Sequence, residues 1–343
     1  MKGVQHICFK HRKCKIDIPL EYKVTLLQGK SGAGKSELTD LRYVSSSKPT
    51  VIMQPGLTDI KSLYTLDDKI VVVDEDVLRL ITKTVPDGLN TLSNMVNEST
   101  AYWIFISRNP ITTISYSYKA IYEVHKDSTV TRVYDDYDRR PELHNQTIYT
   151  EDTKGFPKVI RKTSSVEVRP CNGVSTLDYM LRHNKIESNS LLIADGDGCG
   201  AYAANIVDYA NRGDLWLPNS FEYLLLKTSI FDDNTVVQEV LNNPVDYANE
   251  ALSREKFYEL FICEVMAKMG LNNRYKHDEK QNVTCFILGN KCSHRCALEP
   301  CKPYVDLRDL DFTPNRKLYK GKYEIPKIAE NYTDEQLKEL FGF

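Results

Sequence analysis

The residues with the clearest chemical potential lie in one stretch, Gly29–Ser36, close to the N-terminus. Its letters match Gly-x4-Gly-Lys-Ser, the pattern of a phosphate-binding loop, between an apolar run and a segment that can be helical. The glycines let backbone N–H groups point at one anion, Lys35 would reach the β- and γ-phosphates, and Ser36 would ligand Mg²⁺. The residues expected to bind a nucleotide here are Gly29, Lys30, Ser31, Gly32, Ala33, Gly34, Lys35 and Ser36.

A pair of acids at the end of a second apolar run completes this chemistry. Ile70-Val71-Val72-Val73 is typical of a buried parallel strand, and Asp74 and Glu75 follow it directly. Because ligands bind at the carboxyl ends of strands in open α/β sheets, Asp74 is expected to share the Mg²⁺ with Ser36. Glu75 suits a general base that polarises a water.

A third apolar run, residues 101–106, ends in Ser107-Arg108-Asn109. These polar residues are candidates for sensing the γ-phosphate, and Asn109 is our candidate ligand of the nucleotide. A simple turn at the end of a strand explains the same letters equally well.

A second group of acids follows strands later in the chain. Glu151 ends the first strand of a βαβαβ pattern, and Asp195 and Asp197 follow the third in Asp-Gly-Asp-Gly. The pattern predicts a parallel sheet whose strand ends bring these acids together, where hard oxygen ligands would collect Mg²⁺. The alternative is a glycine turn that carries solvated acids.

Four cysteines are concentrated near the C-terminus, at Cys285, Cys292, Cys296 and Cys301. Four thiolates could close a tetrahedral Zn²⁺ site, although the paired Cys-x2-Cys spacing of common zinc fingers is missing. Reduced thiols in an irregular loop are an equally good interpretation. The total of nine cysteines, an odd number, argues against a disulfide framework and for a reducing cytoplasm.

Composition indicates a globular chain. The 343 residues are 41% hydrophobic and 27% charged, with a net charge of −2, so no global charge favours nucleic acid or membrane. No apolar run approaches the roughly 20 residues of a membrane span, and the first residues lack the apolar core of a signal peptide. We expect a cytoplasmic protein without a membrane partner.

The predicted fold class is α/β, with three parts. Residues 1–135 are expected to form a nucleotide-binding parallel sheet, and residues 143–255 a second α/β domain. Residues 256–343 are expected to form a small helical, Cys-rich extension that binds zinc if the cysteines are ligands. A polar, proline-broken stretch at residues 135–142 separates the first two parts.

The first part resembles the P-loop NTPases that insert an extra strand between the two Walker strands and use a catalytic glutamate. The resemblance covers about residues 20–120. It implies Lys35 and Glu75 as catalytic residues. The short spacing between Lys35 and Asp74 leaves no room for the helical insert of transporter-type ATPases, and no Leu-Ser-Gly-Gly signature is found. No Asn-Lys-x-Asp pattern for reading guanine is found either, which favours ATP.

The second part resembles a TOPRIM domain, the metal-binding fold of topoisomerases, primases and some nucleases. The resemblance implies Glu151 as the general acid/base and Asp195 and Asp197 as ligands of Mg²⁺. Asp152 stands where that family has glycine, which departs from its pattern. Glu222 resembles an additional acidic position in the OLD-type nucleases, which also couple an ATPase to a TOPRIM domain.

These features favour an ATPase whose nucleotide state controls a metal-dependent nuclease, with nucleic acid as a partner and phage defence as a role suggested by the OLD analogy. The alternative is an ATP-dependent regulatory module that binds a protein partner or a second copy of itself, with a degenerate TOPRIM fold. A small-molecule kinase is ranked last, since it would want an arginine-rich lid.

Overall fold

The computed structural model describes residues 3–11, 14–53, 66, 68–84, 87–142, 144, 146–153, 156–163, 165–227, 231–248, 254, 255, 257, 258, 261 and 262. They form two sheets of mainly parallel strands, a smaller antiparallel sheet and helices, so the predicted α/β class is confirmed. The four cysteines between positions 285 and 301 lie outside the described residues. None of the helices that are described is long and apolar enough to cross a membrane.

The strands in chain order are β1 Gln5–His11, β2 Cys14–Leu20, β3 Val24–Gln28, β4 Val44–Ser46, β5 Thr50–Ile52, β6 Ile70–Val73, β7 Tyr102–Ile106, β8 Ile121–Val124, β9 Val130–Arg132, β10 Ile148–Thr150, β11 Val168–Pro170, β12 Leu191–Ile193 and β13 Asp214–Trp216. The α-helices are α1 Glu75–Thr84, α2 Gly88–Glu98, α3 Phe156–Thr163, α4 Val174–Arg182, α5 Ala203–Asp208, α6 Phe221–Leu226, α7 Thr235–Asn242 and α8 Pro244–Ala248. Short 3-10 helices cover Lys35–Thr39, Leu41–Tyr43, Tyr118–Ala120, Gly200–Tyr202 and Tyr209–Asn211.

The first sheet has the strand order β5-β6-β7-β3-β8-β9, and all neighbouring pairs are parallel except β8 and β9. Every residue of β6 and β7 is buried, which is why these strands read as unbroken apolar runs. Strand β7 lies between β3 and β6. The strand expected between the loop-bearing strand and the strand before Asp74 is therefore present.

The hairpin of β1 and β2 covers one face of this sheet and pairs with β4. Its side chains alternate between buried and more exposed positions, as expected for strands with one face on a core. Ile7, Phe9, Ile16 and Ile18 are fully buried against side chains of β6, β7 and β3. Burying a side chain of this size stabilises the fold by roughly 1.5–3 kcal/mol.

The second sheet is wholly parallel, in the order β11-β10-β12-β13. The predicted alternation of strands and helices is therefore confirmed. Helix α3, between β10 and β11, is an addition to it, and buries Phe156 and Ile160 one helical turn apart.

One apolar core continues from the first sheet into the second. It includes Val24 and Trp103 of the first sheet and Leu192 and Leu217 of the second part. Hydrogen bonds also join the two parts: Tyr118 N donates to Gly196 O at 3.2 Å, and Gly200 N donates to Tyr116 O at 2.8 Å. At Gly196 a Cβ atom would lie 2.8 Å from Leu217 O, so only glycine fits this approach.

Candidate functional site

The glycines of the loop Gly29–Ser36 have backbone angles that other residues rarely adopt. Gly29, Gly32 and Gly34 have φ angles of 145°, 77° and 90°. A Cβ atom at Gly29 would also lie 2.5 Å from the carbonyl oxygen of Val124. The conformation therefore depends on the glycines that the sequence pattern supplies.

Several backbone amides of the loop are available to a ligand. Ala33 N donates to Lys30 O at 3.2 Å, which closes a turn. The N–H groups of Ser31, Gly32 and Gly34 donate to no other residue that the structure describes. Unsatisfied amides around one turn make a concave site for an anion.

Lys35 folds back over this loop. Its Nζ donates to Gly29 O at 2.6 Å and to Lys30 O at 3.0 Å. Burial lowers the pKa of Lys35, and the charge of Arg108 adds to this, while Glu75 opposes it. Because the amine now neutralises only carbonyl dipoles, an incoming phosphate would be the better acceptor.

The segment after the loop is helical but short. A 3-10 helix covers Lys35–Thr39, and a second one covers Leu41–Tyr43. A five-residue 3-10 helix aligns few peptide dipoles, so it adds little positive potential at the loop. Attraction for an anion therefore comes from the loop amides and the Lys35 amine.

The two acids after β6 lie beside arginines. Asp74 Oδ1 accepts a hydrogen bond from Glu75 N at 2.6 Å, at the start of α1. The carboxylate of Glu75 lies 3.5 Å from Arg79 Nη2 through one oxygen and 3.5 Å from Arg108 Nε through the other. The two guanidinium groups therefore flank this carboxylate through different oxygens.

The loop and the acids line one open cavity of about 440 Å³. Arg108 lines it, whereas Asn109, our candidate from the sequence, is exposed and is absent from the lining. The turn after β7 is closed by Ser107, whose hydroxyl donates to Asn109 O at 2.8 Å. The lining residues are Ser31, Gly32, Ala33, Gly34, Lys35, Ser36, Glu37, Asp74, Glu75, Ile106 and Arg108.

The second group of acids meets at the carboxyl ends of β10 and β12. Asp195 N donates to Glu151 Oε2 at 3.0 Å, and Asp195 Oδ1 accepts from Phe221 N at 3.1 Å. Burial raises the pKa of Glu151 to about 8, with a further rise from the charge of Glu255. The pKa of Asp195 is also raised well above its ordinary value, by burial first and then by Glu255 and Glu151.

Two further carboxylates belong to this acidic cluster. Glu222, in the first turn of α6, is buried and adds to the rise in the pKa of Asp195. Glu255 has an oxygen 2.7 Å from where a Cβ of Gly198 would lie. Nothing in the sequence near Glu255 marks it as a member, because it joins through a tertiary contact.

Asp197 has a different environment from Asp195. It is 1% exposed, and neither carboxylate oxygen has a hydrogen-bond partner among the described residues. Burial raises its pKa to about 6, and the strongest opposing charge is that of Arg254. The described residues include no set of three His, Cys, Asp or Glu side chains arranged to hold a metal ion.

Arg254 connects this region to the first sheet. It is buried, with its guanidinium carbon 4.0 Å from the ring centre of Tyr22, and Nη2 donates to Glu21 O at 2.7 Å. Glu21 and Tyr22 precede β3, whereas the loop Gly29–Ser36 follows it. Five residues of strand span about 17 Å, so Arg254 and the loop lie at opposite ends of β3.

Comparisons with known proteins identify no relative: no family model, curated protein or solved structure matches the chain.

Proposed function

We propose that the chain binds ATP in the loop Gly29–Ser36 and hydrolyses it. The observation that carries the proposal is the single cavity in which loop amides, Lys35, Asp74, Glu75 and Arg108 converge. The strand order supports the proposal as well. Strand β7 lies between β3 and β6, so its carboxyl end lies between the loop and the two acids. The missing guanine-reading pattern favours ATP over GTP.

Each residue has a task that follows from its chemistry. The loop amides bind phosphate oxygens, and Lys35 exchanges its two carbonyl acceptors for the β- and γ-phosphates. Ser36 and Asp74 offer hydroxyl and carboxylate oxygens, the hard ligands that suit Mg²⁺. Mg²⁺, when bound, neutralises charge on the transferred phosphoryl group.

Glu75 orients the attacking water and accepts its proton. Arg108 and Arg79 hold the carboxylate through opposite oxygens, which fixes its orientation. Arg108 also lines the cavity, where a guanidinium stabilises negative charge that develops on phosphate.

Turnover of the Glu75→Gln variant tests this assignment. Glutamine keeps the shape of the side chain but cannot accept a proton, so we expect ATP hydrolysis to fall by about 10²- to 10⁴-fold while ATP binding persists. Asp76→Asn is the matched control, since Asp76 is the exposed neighbouring acid and pairs with the same Arg79. Unchanged turnover in Glu75→Gln would refute the role of Glu75, and a wild type that binds no ATP would refute the site.

For the second part we propose a TOPRIM-like domain whose acidic cluster is controlled by the nucleotide state. Glu151 and Asp195 offer carboxylate oxygens, the hard ligands that a divalent cation prefers, although the described residues present no set of three such side chains arranged around one ion. Mg²⁺-dependent cleavage of nucleic acid that disappears in Asp195→Ala would support a nuclease. Cleavage that survives this change would refute it.

A regulatory module without nuclease activity is the second candidate. The raised pKa values of Glu151 and Asp195 favour it, because protonated carboxyls are poor metal ligands. It predicts ATP-dependent association with a partner or a second copy, measurable by light scattering with and without ATP, and no cleavage of any nucleic acid.

A further inference from the structure

An aromatic pair lies beside the phosphate-binding loop and has no part in the chemistry described above. The rings of His11 and Tyr43 stack with centroids 3.9 Å apart and planes 17° apart. Phe9 packs against Tyr43 in an edge-to-face contact, with the two ring centroids 6.1 Å apart. The guanidinium of Arg42 lies 5.4 Å from the centre of the Tyr43 ring.

Two connections place this pair next to the loop. His11 ends β1 and faces Cys14 across the hairpin, and Cys14 Sγ lies 3.3 Å from where a Cβ of Gly34 would be. Facing residues of antiparallel strands have Cα atoms about 4.5–5.5 Å apart, so His11 is one strand spacing from the residue that contacts the loop. Tyr43 ends the second 3-10 helix, which begins two residues after the first one ends.

The pair has both an apolar face and a polar rim. His11 and Tyr43 are half-buried, so part of the stack remains open to solvent. At its edge, Arg42 holds Asp40 with two hydrogen bonds, at 2.6 and 2.9 Å. A carboxylate and a guanidinium at the rim offer both an acceptor and donors to the edge of a flat heterocycle.

We propose that the aromatic pair His11–Tyr43 is the surface on which the base of a purine nucleotide stacks while its phosphates lie in the loop Gly29–Ser36. The inference rests on the proposed nucleotide site and adds to it the part that binds the base. Stacking fits these residues because a purine ring is planar and polarisable, and aromatic side chains bind bases through their faces.

Comparing two ligands separates this role from a merely structural one. ATP carries both base and phosphates, whereas inorganic tripolyphosphate carries the phosphates alone. In the Tyr43→Ala variant we expect ATP affinity to fall by about 5- to 100-fold and tripolyphosphate affinity to change less than about twofold. Lys35→Ala should weaken both ligands. Isothermal titration calorimetry on the full chain measures both affinities for the wild type and for each variant.

The chain offers a matched control pair on another surface. Tyr179 and His183 of helix α4 and the turn after it contact each other with centroids 4.1 Å apart and planes 34° apart. Tyr179→Ala removes the tyrosine ring of this second His–Tyr pair and should leave both affinities unchanged. Tyr43→Phe keeps the stacking face and should retain ATP affinity within about threefold of the wild type.

Distinct results overturn distinct statements. If the wild type binds neither ligand, the nucleotide site itself is refuted. If it binds both and Tyr43→Ala weakens neither, or weakens both equally, the stacking surface is refuted and the phosphate site stands. Thermal unfolding verifies the fold of each variant, and His11→Ala with His11→Phe repeats the comparison from the other ring if Tyr43→Ala is unfolded.

Discussion

The molecule places acids at the ends of parallel strands twice, and the two groups have opposite surroundings. Asp74 and Glu75 follow β6 in an open cavity and lie near Lys35 and two arginines. Glu151 and Asp195 follow β10 and β12, where burial and the charge of Glu255 raise the pKa values of both.

This contrast shows that strand-end position alone does not determine what an acid does. A carboxylate with cations nearby can position a water or a metal ion, because the cations offset the repulsion between neighbouring acids. In a buried group of acids, both desolvation and mutual repulsion favour the protonated form. Such a group retains protons until a cation binds or water enters the site. The two groups of acids therefore have chemically different surroundings, although one apolar core continues between the two sheets that carry them.

The largest effect is expected from removing the buried cation that joins the second part to the first sheet. Arg254→Met deletes the guanidinium that stacks on Tyr22 and opposes the rise in the pKa of Asp197. We expect the free energy of unfolding to fall by about 3–5 kcal/mol, because the buried stack on Tyr22 and the hydrogen bond to Glu21 O are lost together. Urea unfolding measures the change.

Arg132→Met is the matched control for that loss. Arg132 pairs with the side chain of Glu21 at 2.7 Å in a half-exposed position, so its removal should cost about 1 kcal/mol or less. Folded Arg254→Met should still bind ATP, because Arg254 and the loop lie at opposite ends of β3. Equal stability of the two variants would contradict the importance of the buried contact.

Sequence reasoning predicted the first region better than the second for a physical reason. The conformation of the loop is determined by residues that are close together in the sequence. Its positive φ angles occur at Gly29, Gly32 and Gly34, where the sequence supplies glycine. Glu255 and Arg254 instead reach their partners through contacts between distant parts of the chain. Local sequence carries no signal for such contacts, nor for the burial that sets a pKa.

The turn after β7 shows the same limit at short range. From residue type alone, three neighbouring side chains are equally plausible ligands: Ser107, Arg108 and Asn109. The hydroxyl of Ser107 closes the turn on Asn109, and Arg108 is the one that lines the cavity. Orientation after a strand end depends on the turn and not on residue type.

A smaller effect on stability is expected from removing one acid of the second cluster. The pKa of Glu151 is raised in the folded state, so its contribution to stability is full at low pH and is lost as pH rises through about 8. In Glu151→Gln we expect the difference in unfolding free energy between about pH 5 and about pH 8 to shrink by about 1–3 kcal/mol. The acids whose charges act on Glu151 or on its neighbour Asp195 are Asp152, Glu222 and Glu255.

Chemical denaturation across that pH range measures the effect, and Glu75→Gln serves as its control in the first region. Glu75 lies in the open cavity and outside the buried acidic cluster, so its removal should leave the contribution of that cluster to the slope of stability against pH in place. Identical slopes for wild type and Glu151→Gln would show that the cluster does not retain protons.

Lys23 shows the effect of burial on a pKa without neighbouring charges, and its substitution has the smallest expected effect on stability. Burial alone lowers its pKa to about 7, and its Nζ has no hydrogen-bond partner among the described residues. The unfolded chain therefore binds the proton more readily, and the wild type loses stability as pH falls from about 10 towards 7. Lys23→Met should be more stable than the wild type at pH 7 by about 1 kcal/mol, a gain that disappears near pH 10. If denaturation finds the same gain at both pH values, burial of the Lys23 amine does not shift its protonation.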